Sequence, residues 1–239
     1  FLRDRRACAE VNGVRGRLRP FRAGLPQGSV LAPTLFTLWS ADLVEALRRV
    51  PGTTVYAYAD DTATLCSGAT IDQARNRAQQ AADVMARWAR DWKMKLASSK
   101  TQVLVLSQNH ADTRDLGIWV DGARVEGTRH LHLLGVTLDR QLHMGEHCAR
   151  LRKKVKPRTA QLRKLTGRSW GLREPQLRTI ANGYVRGALE YAAAAWLPAA
   201  SESHVELLER EMRAVARVVT GCPVSTPTDL LMAEAGLVP

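Results

Sequence analysis

Two adjacent carboxylates, Asp60 and Asp61, stand between two short runs that read as strands, Thr54-Val55-Tyr56-Ala57-Tyr58 and Thr62-Ala63-Thr64-Leu65-Cys66. β-Branched and aromatic residues fill both runs, with Pro51-Gly52 before them and Ser67-Gly68 after, so the pattern predicts a hairpin with both aspartates at its tip. Neighbouring carboxylates repel each other, and such a pair persists either in water or around cations. In the first case it is a solvated turn, Asp being an ordinary turn former. In the second it is a metal-binding pair. The stretch Tyr58-Ala59-Asp60-Asp61 leaves both open.

A second stretch, thirty residues upstream, is more particular: Gly24-Leu25-Pro26-Gln27-Gly28-Ser29-Val30-Leu31-Ala32-Pro33-Thr34-Leu35-Phe36. Pro26 fixes one dihedral, Gly28 lets backbone come into contact with a ligand, and Ser29 is placed to cap a following helix. A helix N-terminus behind a glycine suits a phosphate or a nucleobase. A plain loop into a helix uses the same residues.

The elements that must hold these stretches follow from periodicity. Leu35, Phe36, Trp39, Leu43 and Leu47 predict a helix within 30–49. Ile71, Ala74, Ala78, Ala81, Met85, Trp88 and Trp92 mark the clearest helix, with Thr70 and Gln73 as a capping box. Val11-Asn12-Gly13-Val14 and Asp121-Gly122 are hairpin turns. Gln102 to Ser107 and Leu131 to Leu138 read as single strands, the second with Gly135 inside it. From about residue 146 the chain becomes helical: a basic helix to about 167, a second from 174 to 196, a third from Ser203, capped with Glu206, to 219, and a short last one after Pro227. The expected fold class is α+β up to 145 followed by an all-helical part.

Composition narrows the function. The 239 residues are 45% hydrophobic and 24% charged, the balance of a folded chain with a real core. A net charge of +12 favours a polyanionic partner. It comes from two patches: residues 1–22 hold seven arginines against two acids, and residues 147–173 hold ten Lys or Arg and no acid. Four scattered cysteines without a C-x-x-C pair argue against a disulfide framework and for a reducing, intracellular setting. His143, His147 and Cys148 invite a zinc site, but no second ligand pair matches them. The longest uncharged apolar run, 191–200, is about half a membrane span. Because the chain opens on Phe1, it reads as a piece of a longer polypeptide.

Gly24 to Phe36 resembles motif B of reverse transcriptases, which in the non-LTR (LINE-type) retrotransposon branch reads close to G-x-P-Q-G-S-x-L-x-P-x-L-F, and every fixed position is met. Tyr58-Ala59-Asp60-Asp61 is similar to motif C, Leu96 to Thr101 to motif D, and His132 to Asp139 to the primer-grip motif E. The resemblance implies a partial polymerase palm over 1–145, an antiparallel sheet with helices on one face, and a helical thumb and connection over 146–239. It implies primer extension with two Mg²⁺ ions, Asp60 and Asp61 being metal ligands. Pro26, Gln27, Gly28, Ser29 and Tyr58 would meet nucleotide and template, Lys100 would sit near the departing pyrophosphate, and Leu134 and Gly135 would grip the primer. Arg150, Arg152, Lys153, Lys154, Lys156 and Arg158 would contact duplex phosphates. RNA template, DNA primer and dNTPs are the implied partners, with no membrane, and the nucleus is the implied compartment.

Two positions depart from the pattern. Ala97 stands where motif D of this branch carries asparagine. The motif A aspartate has no counterpart, since only Asp4 and Glu10 precede Gly24. The chain alone is therefore expected not to polymerise, and the rival expectation is a relic that only binds nucleic acid. An RNA-dependent RNA polymerase would carry Gly-Asp-Asp at the hairpin, which Ala59 does not match.

Overall fold

The computed structural model describes residues 2–107, 116–167 and 170–237. The chain is α+β, and its contacts group it into two compact units, 1–99 with 118–124 and 100–117 with 125–239.

The first unit opens with four two-residue strands, β1 (Arg6–Ala7), β2 (Glu10–Val11), β3 (Val14–Arg15) and β4 (Arg19–Pro20). β1 pairs antiparallel with β4 and β2 with β3, so residues 5–21 make one long, irregular hairpin closed by Asn12 and Gly13, both at positive φ. Helix α1 (Ala32–Arg48) follows, then the hairpin of β5 (Thr53–Tyr58) and β6 (Asp61–Cys66), then α2 (Ile71–Asp91). Leu43, Leu47 and Ala81 make a small core with Val55, Cys66 and Trp88 against it. Thr70 caps α2 through Gln73 N (3.2 Å), while the Gln73 amide oxygen accepts from Ala69 N (2.8 Å), one residue before the position a capping box uses. β7 (Ile118–Val120) pairs with β8 (Ala123–Val125), and Gln79 on α2 bonds both backbone groups of Trp119 (2.7 and 2.9 Å).

Sheet structure among the described residues consists of separate two-stranded antiparallel ladders, not one continuous sheet. Gln102–Ser107 is no strand: Val103 makes only an isolated bridge to Gly127, and the Gln102 side chain is spent on His132 N (3.0 Å). Leu131–Leu138 is a hairpin rather than a single strand. Leu134 and Gly135 (φ 46° and 84°) form a two-residue turn between β9 (His130–Leu133) and β10 (Val136–Asp139).

The second unit has the larger core. Helix α3 (Gly145–Arg163) buries Leu151, Val155 and Leu162, and α7 (Glu202–Thr220) buries Leu208, Val215 and Val219. Each such side chain contributes roughly 1.5–3 kcal/mol by leaving water. The helix expected over 174–196 is broken into α4 (Glu174–Ile180), a π-helical turn (Ala181–Arg186), α5 (Gly187–Leu189) and α6 (Ala193–Trp196). Ala192 in the left-handed region (φ 53°) interrupts the hydrogen-bond ladder there. The cap of α7 also differs. Ser201, not Ser203, occupies the N-cap, its hydroxyl meets His204 Nδ1 (2.7 Å), and Glu206 turns to Arg213 and Arg210. Helix α8 (Thr228–Ala235) closes the unit. No described helix is long and apolar enough to cross a membrane.

The Leu134-Gly135 turn is held by Tyr191, whose hydroxyl donates to Leu134 O (3.0 Å). The glycine is required: a Cβ at Gly135 would lie 2.8 Å from Tyr191 Cε1, at a φ that costs an L-residue about 1–2 kcal/mol by itself. Gly135→Ala should therefore lower stability by more than that backbone penalty, measured by urea unfolding.

Candidate nucleotidyl-transfer site

The loop before α1 is built by two glycines at positive φ, Gly24 (78°) and Gly28 (83°). Nothing lies within 4 Å of where a Gly28 Cβ would be, so this side of the loop is open. Pro26 O accepts from Ser29 N (3.3 Å), and Gln27 and Gly28 are exposed. Ser29 does not cap α1. The helix begins at Ala32, Leu31 holds the N-cap position, and the Ser29 hydroxyl is enclosed and unbonded two residues too early to reach the free amides.

The Asp-Asp hairpin is tight. Tyr58 pairs with Asp61, leaving Ala59 and Asp60 as the turn, with Ala59 in the left-handed region (φ 51°). Directly paired residues share a face, so Tyr58 and Asp61 point the same way while Asp60 stands at the tip. Both carboxylates are exposed, and neither makes a hydrogen bond or ion pair among the described residues. Beside the tip, an open cleft of about 590 Å³ is lined by Ala57 and Ala59 and by Phe36, Asp42, Glu45 and Arg48 of α1. Asp42 was not singled out in the sequence. Its carboxylate is already engaged, accepting from Trp88 Nε1 (2.9 Å) and Leu43 N (2.8 Å). The signal that could have found it is its helical spacing, three residues after Trp39 and four or five before the next turn's apolar pair.

The remaining predicted residues fall in the second unit. Lys100 ends a short 3₁₀ turn (Ser98–Lys100) and is exposed. Leu134 and Gly135 form the turn clasped by Tyr191. The six cations expected at phosphates are not equivalent. Lys153, Lys154 and Lys156 are exposed on α3. Arg152 is instead committed to the buried Glu211 on α7 (2.7 Å). Arg158 stacks on the Tyr184 ring (4.5 Å) and donates to Tyr184 O (2.5 Å), and Arg150 lies against the His132 ring.

His147 serves the fold. It is 2% exposed, its Nδ1 accepts from Thr137 N (3.2 Å), and its ring meets Trp196 edge-on at 5.1 Å. His143 N instead donates to Asp139, and no cluster of three or more metal-binding side chains occurs among the described residues. Burial, then the nearby Arg150, push the His147 pKa below its ordinary value of 6.5. The unfolded chain takes up a proton there near 6.5 while the folded one resists it, so stability is full above that pH and falls as the pH drops through and below it. Thermal midpoints recorded between about pH 7.5 and 5.5 should decline, and less steeply in His147→Gln. His132 shifts in the same direction, through burial and then Arg150.

Residues 2–138 match the family model of reverse transcriptases (RNA-dependent DNA polymerases), and the chain belongs to that family. Within it, the similarity runs to polymerases of non-LTR retrotransposons. The chain is 28% identical over 68% of its length to the RNA-directed DNA polymerase from mobile element jockey of Drosophila melanogaster. It is 28% identical over 93% to the probable RNA-directed DNA polymerase from transposon BS of the same species. A Pol polyprotein from type-1 retrotransposable element R1 4 of Nasonia vitripennis is 32% identical over 53% of the chain. The chain spans 18% and 25% of the first two relatives and 32% of the third. No solved structure matches.

Proposed function

We propose that this chain is part of the catalytic core of an RNA-directed DNA polymerase, its residues 1–145 contributing to the palm and 146–239 forming thumb and connection. The observation that carries this reading is the exposed Asp60–Asp61 pair on a tight hairpin in the same compact unit as the open Gly28 loop. Carboxylates without protein partners suit Mg²⁺, a hard ion that takes one or two such ligands and fills its shell with phosphate and water oxygens. Asp60 and Asp61 would hold such ions, whose positive charge would stabilise the charge developing on the reacting phosphate oxygens.

The chain's own residues do the positioning. Gln27 and Gly28 lie beside the nascent base pair, with Pro26 fixing the loop, Ser29 near the template and Tyr58 flanking the tip. The primer 3′-hydroxyl attacks the α-phosphate of a dNTP and pyrophosphate departs toward Lys100, which supplies positive charge or a proton. Leu134 and Gly135 set the primer end, and the exposed lysines of α3 meet duplex phosphates in a sequence-independent, salt-sensitive contact. Nuclear action belongs to the same reading.

Primer extension on an RNA template, with this chain joined to its natural upstream neighbour, tests the proposal. Mg²⁺-dependent product supports it. Absence of product with salt-sensitive binding retained would leave a relic that binds nucleic acid without copying it.

A further inference from the structure

The long hairpin of residues 5–21 contributes nothing to either hydrophobic core, and all but one of its residues are exposed. Its charge is concentrated: seven arginines and two acids in residues 1–22. Arg15 is paired with Glu10 (2.9 Å). Arg5 anchors the base of the arm, donating to Gly24 O (2.8 Å) and lying over the Phe21 ring at 5.4 Å. The side chains of Arg6, Arg17, Arg19 and Arg22 make no hydrogen bond or ion pair among the described residues. The register pairs Ala7 with Arg19, and Phe21 N bonds Arg5 O, so Arg5, Ala7, Arg19 and Phe21 share one face. That face carries guanidiniums, a small residue and a phenyl ring that is 51% exposed.

We infer that this arm is a binding site for single-stranded nucleic acid, separate from the basic helix α3. Free guanidiniums along a ribbon follow a phosphate backbone, and an exposed ring beside an arginine is a platform on which a base stacks. A solvated surface would not require the ring to be exposed, nor the arm to be fixed at its base. The anchor is informative about direction: Arg5 ties the arm to Gly24, the first residue of the loop assigned to the nascent base pair. Resting on that assignment, the strand held by the arm is the unpaired part of the template next to the loop.

Fluorescence anisotropy with a labelled oligouridylate and with a blunt RNA–DNA duplex of equal length tests the inference without requiring catalysis. Arg17→Gln/Arg19→Gln/Arg22→Gln should weaken single-strand binding at least tenfold and reduce the salt slope, log Kd against log salt, by about 2, at about 0.7 per lost phosphate contact. Phe21→Ala should weaken it about tenfold with an unchanged slope, because stacking releases no counterions. Duplex affinity should fall with Lys153→Gln/Lys154→Gln/Lys156→Gln and much less with the arm variants. An unchanged thermal midpoint in the arm variants is expected, since the arm lies outside both cores. Unaltered single-strand affinity and slope in the triple arginine variant would overturn the inference, and an equal loss on the duplex would overturn its single-strand assignment. A parent joined to its natural upstream neighbour that binds in this way but does not extend a primer would count against the polymerase reading alone.

Discussion

Replacing Asp60 or Asp61 with Ala, in the chain joined to its upstream neighbour, should reduce primer extension about a thousandfold or more, equivalent to ~4 kcal/mol of transition-state stabilisation. In the proposed site each carboxylate would supply negative charge to hold cations at the reacting phosphates, and neutral Ala would not replace it. The loss should appear in kcat and leave duplex affinity nearly unchanged, because the exposed lysines proposed to meet phosphates lie on α3, outside the hairpin. Folding should be untouched, as both side chains are exposed at the tip and draw no bond from the protein. Asp60→Asn keeps size and turn propensity while removing charge, so equal loss with Asn and Ala assigns the effect to the carboxylate. Retention of full activity by either variant would remove that residue from the metal site.

Trp196→Ala should cost about 3–5 kcal/mol, the largest stability effect of any single change considered. The indole is 3% exposed in the main core of the second unit, and its Nε1 donates to Tyr191 O (3.0 Å). It is also the wall against which the His147 ring rests. Truncation thus opens a cavity, removes a hydrogen-bond donor from the residue that clasps the Leu134-Gly135 turn, and admits water to a buried imidazole. Urea unfolding should show a lower midpoint, and the acid sensitivity assigned to His147 should diminish as its ring becomes solvated. Trp196→Phe, which retains most of the volume but not the donor, should recover most of the loss.

The local signals in the sequence differed in strength. Hairpins with a turn-forming pair between β-rich runs were legible, as at Asn12-Gly13, Asp121-Gly122 and the Asp-Asp tip, because two residues determine the turn. The α1 and α2 stripes were legible because their apolar spacing repeats over four turns. Leu134-Gly135 was misread as strand interior, since Leu is an unusual occupant of a left-handed position and only the clasp of Tyr191, 57 residues away, supports it there. The break at Ala192 left no trace in a run of helix-forming alanines. Cap positions at Ser29 and Ser203 were missed by two residues each: at α7 two serines, Ser201 and Ser203, compete for one helix start, while at α1 the N-cap falls on Leu31, which has no capping side chain. At the candidate site, the identities of Gln27, Gly28, Asp60 and Asp61 came from motif resemblance and their exposure from the structure. The division of the α3 cations into free lysines and engaged arginines could not be read at all, because Glu211 and Tyr184 are brought to them only by folding.

The ion pair between Arg152 and Glu211 joins positions 59 residues apart in the sequence, one on α3 and one on α7. With Glu211 only 9% exposed, losing the arginine alone would strand a charge away from water, while losing both to well-fitted apolar residues would be close to neutral. The two helices are therefore not independent modules. Any descendant that changes one position is under pressure to change the other, and a hybrid that borrows α3 from a relative must borrow α7 from the same parent.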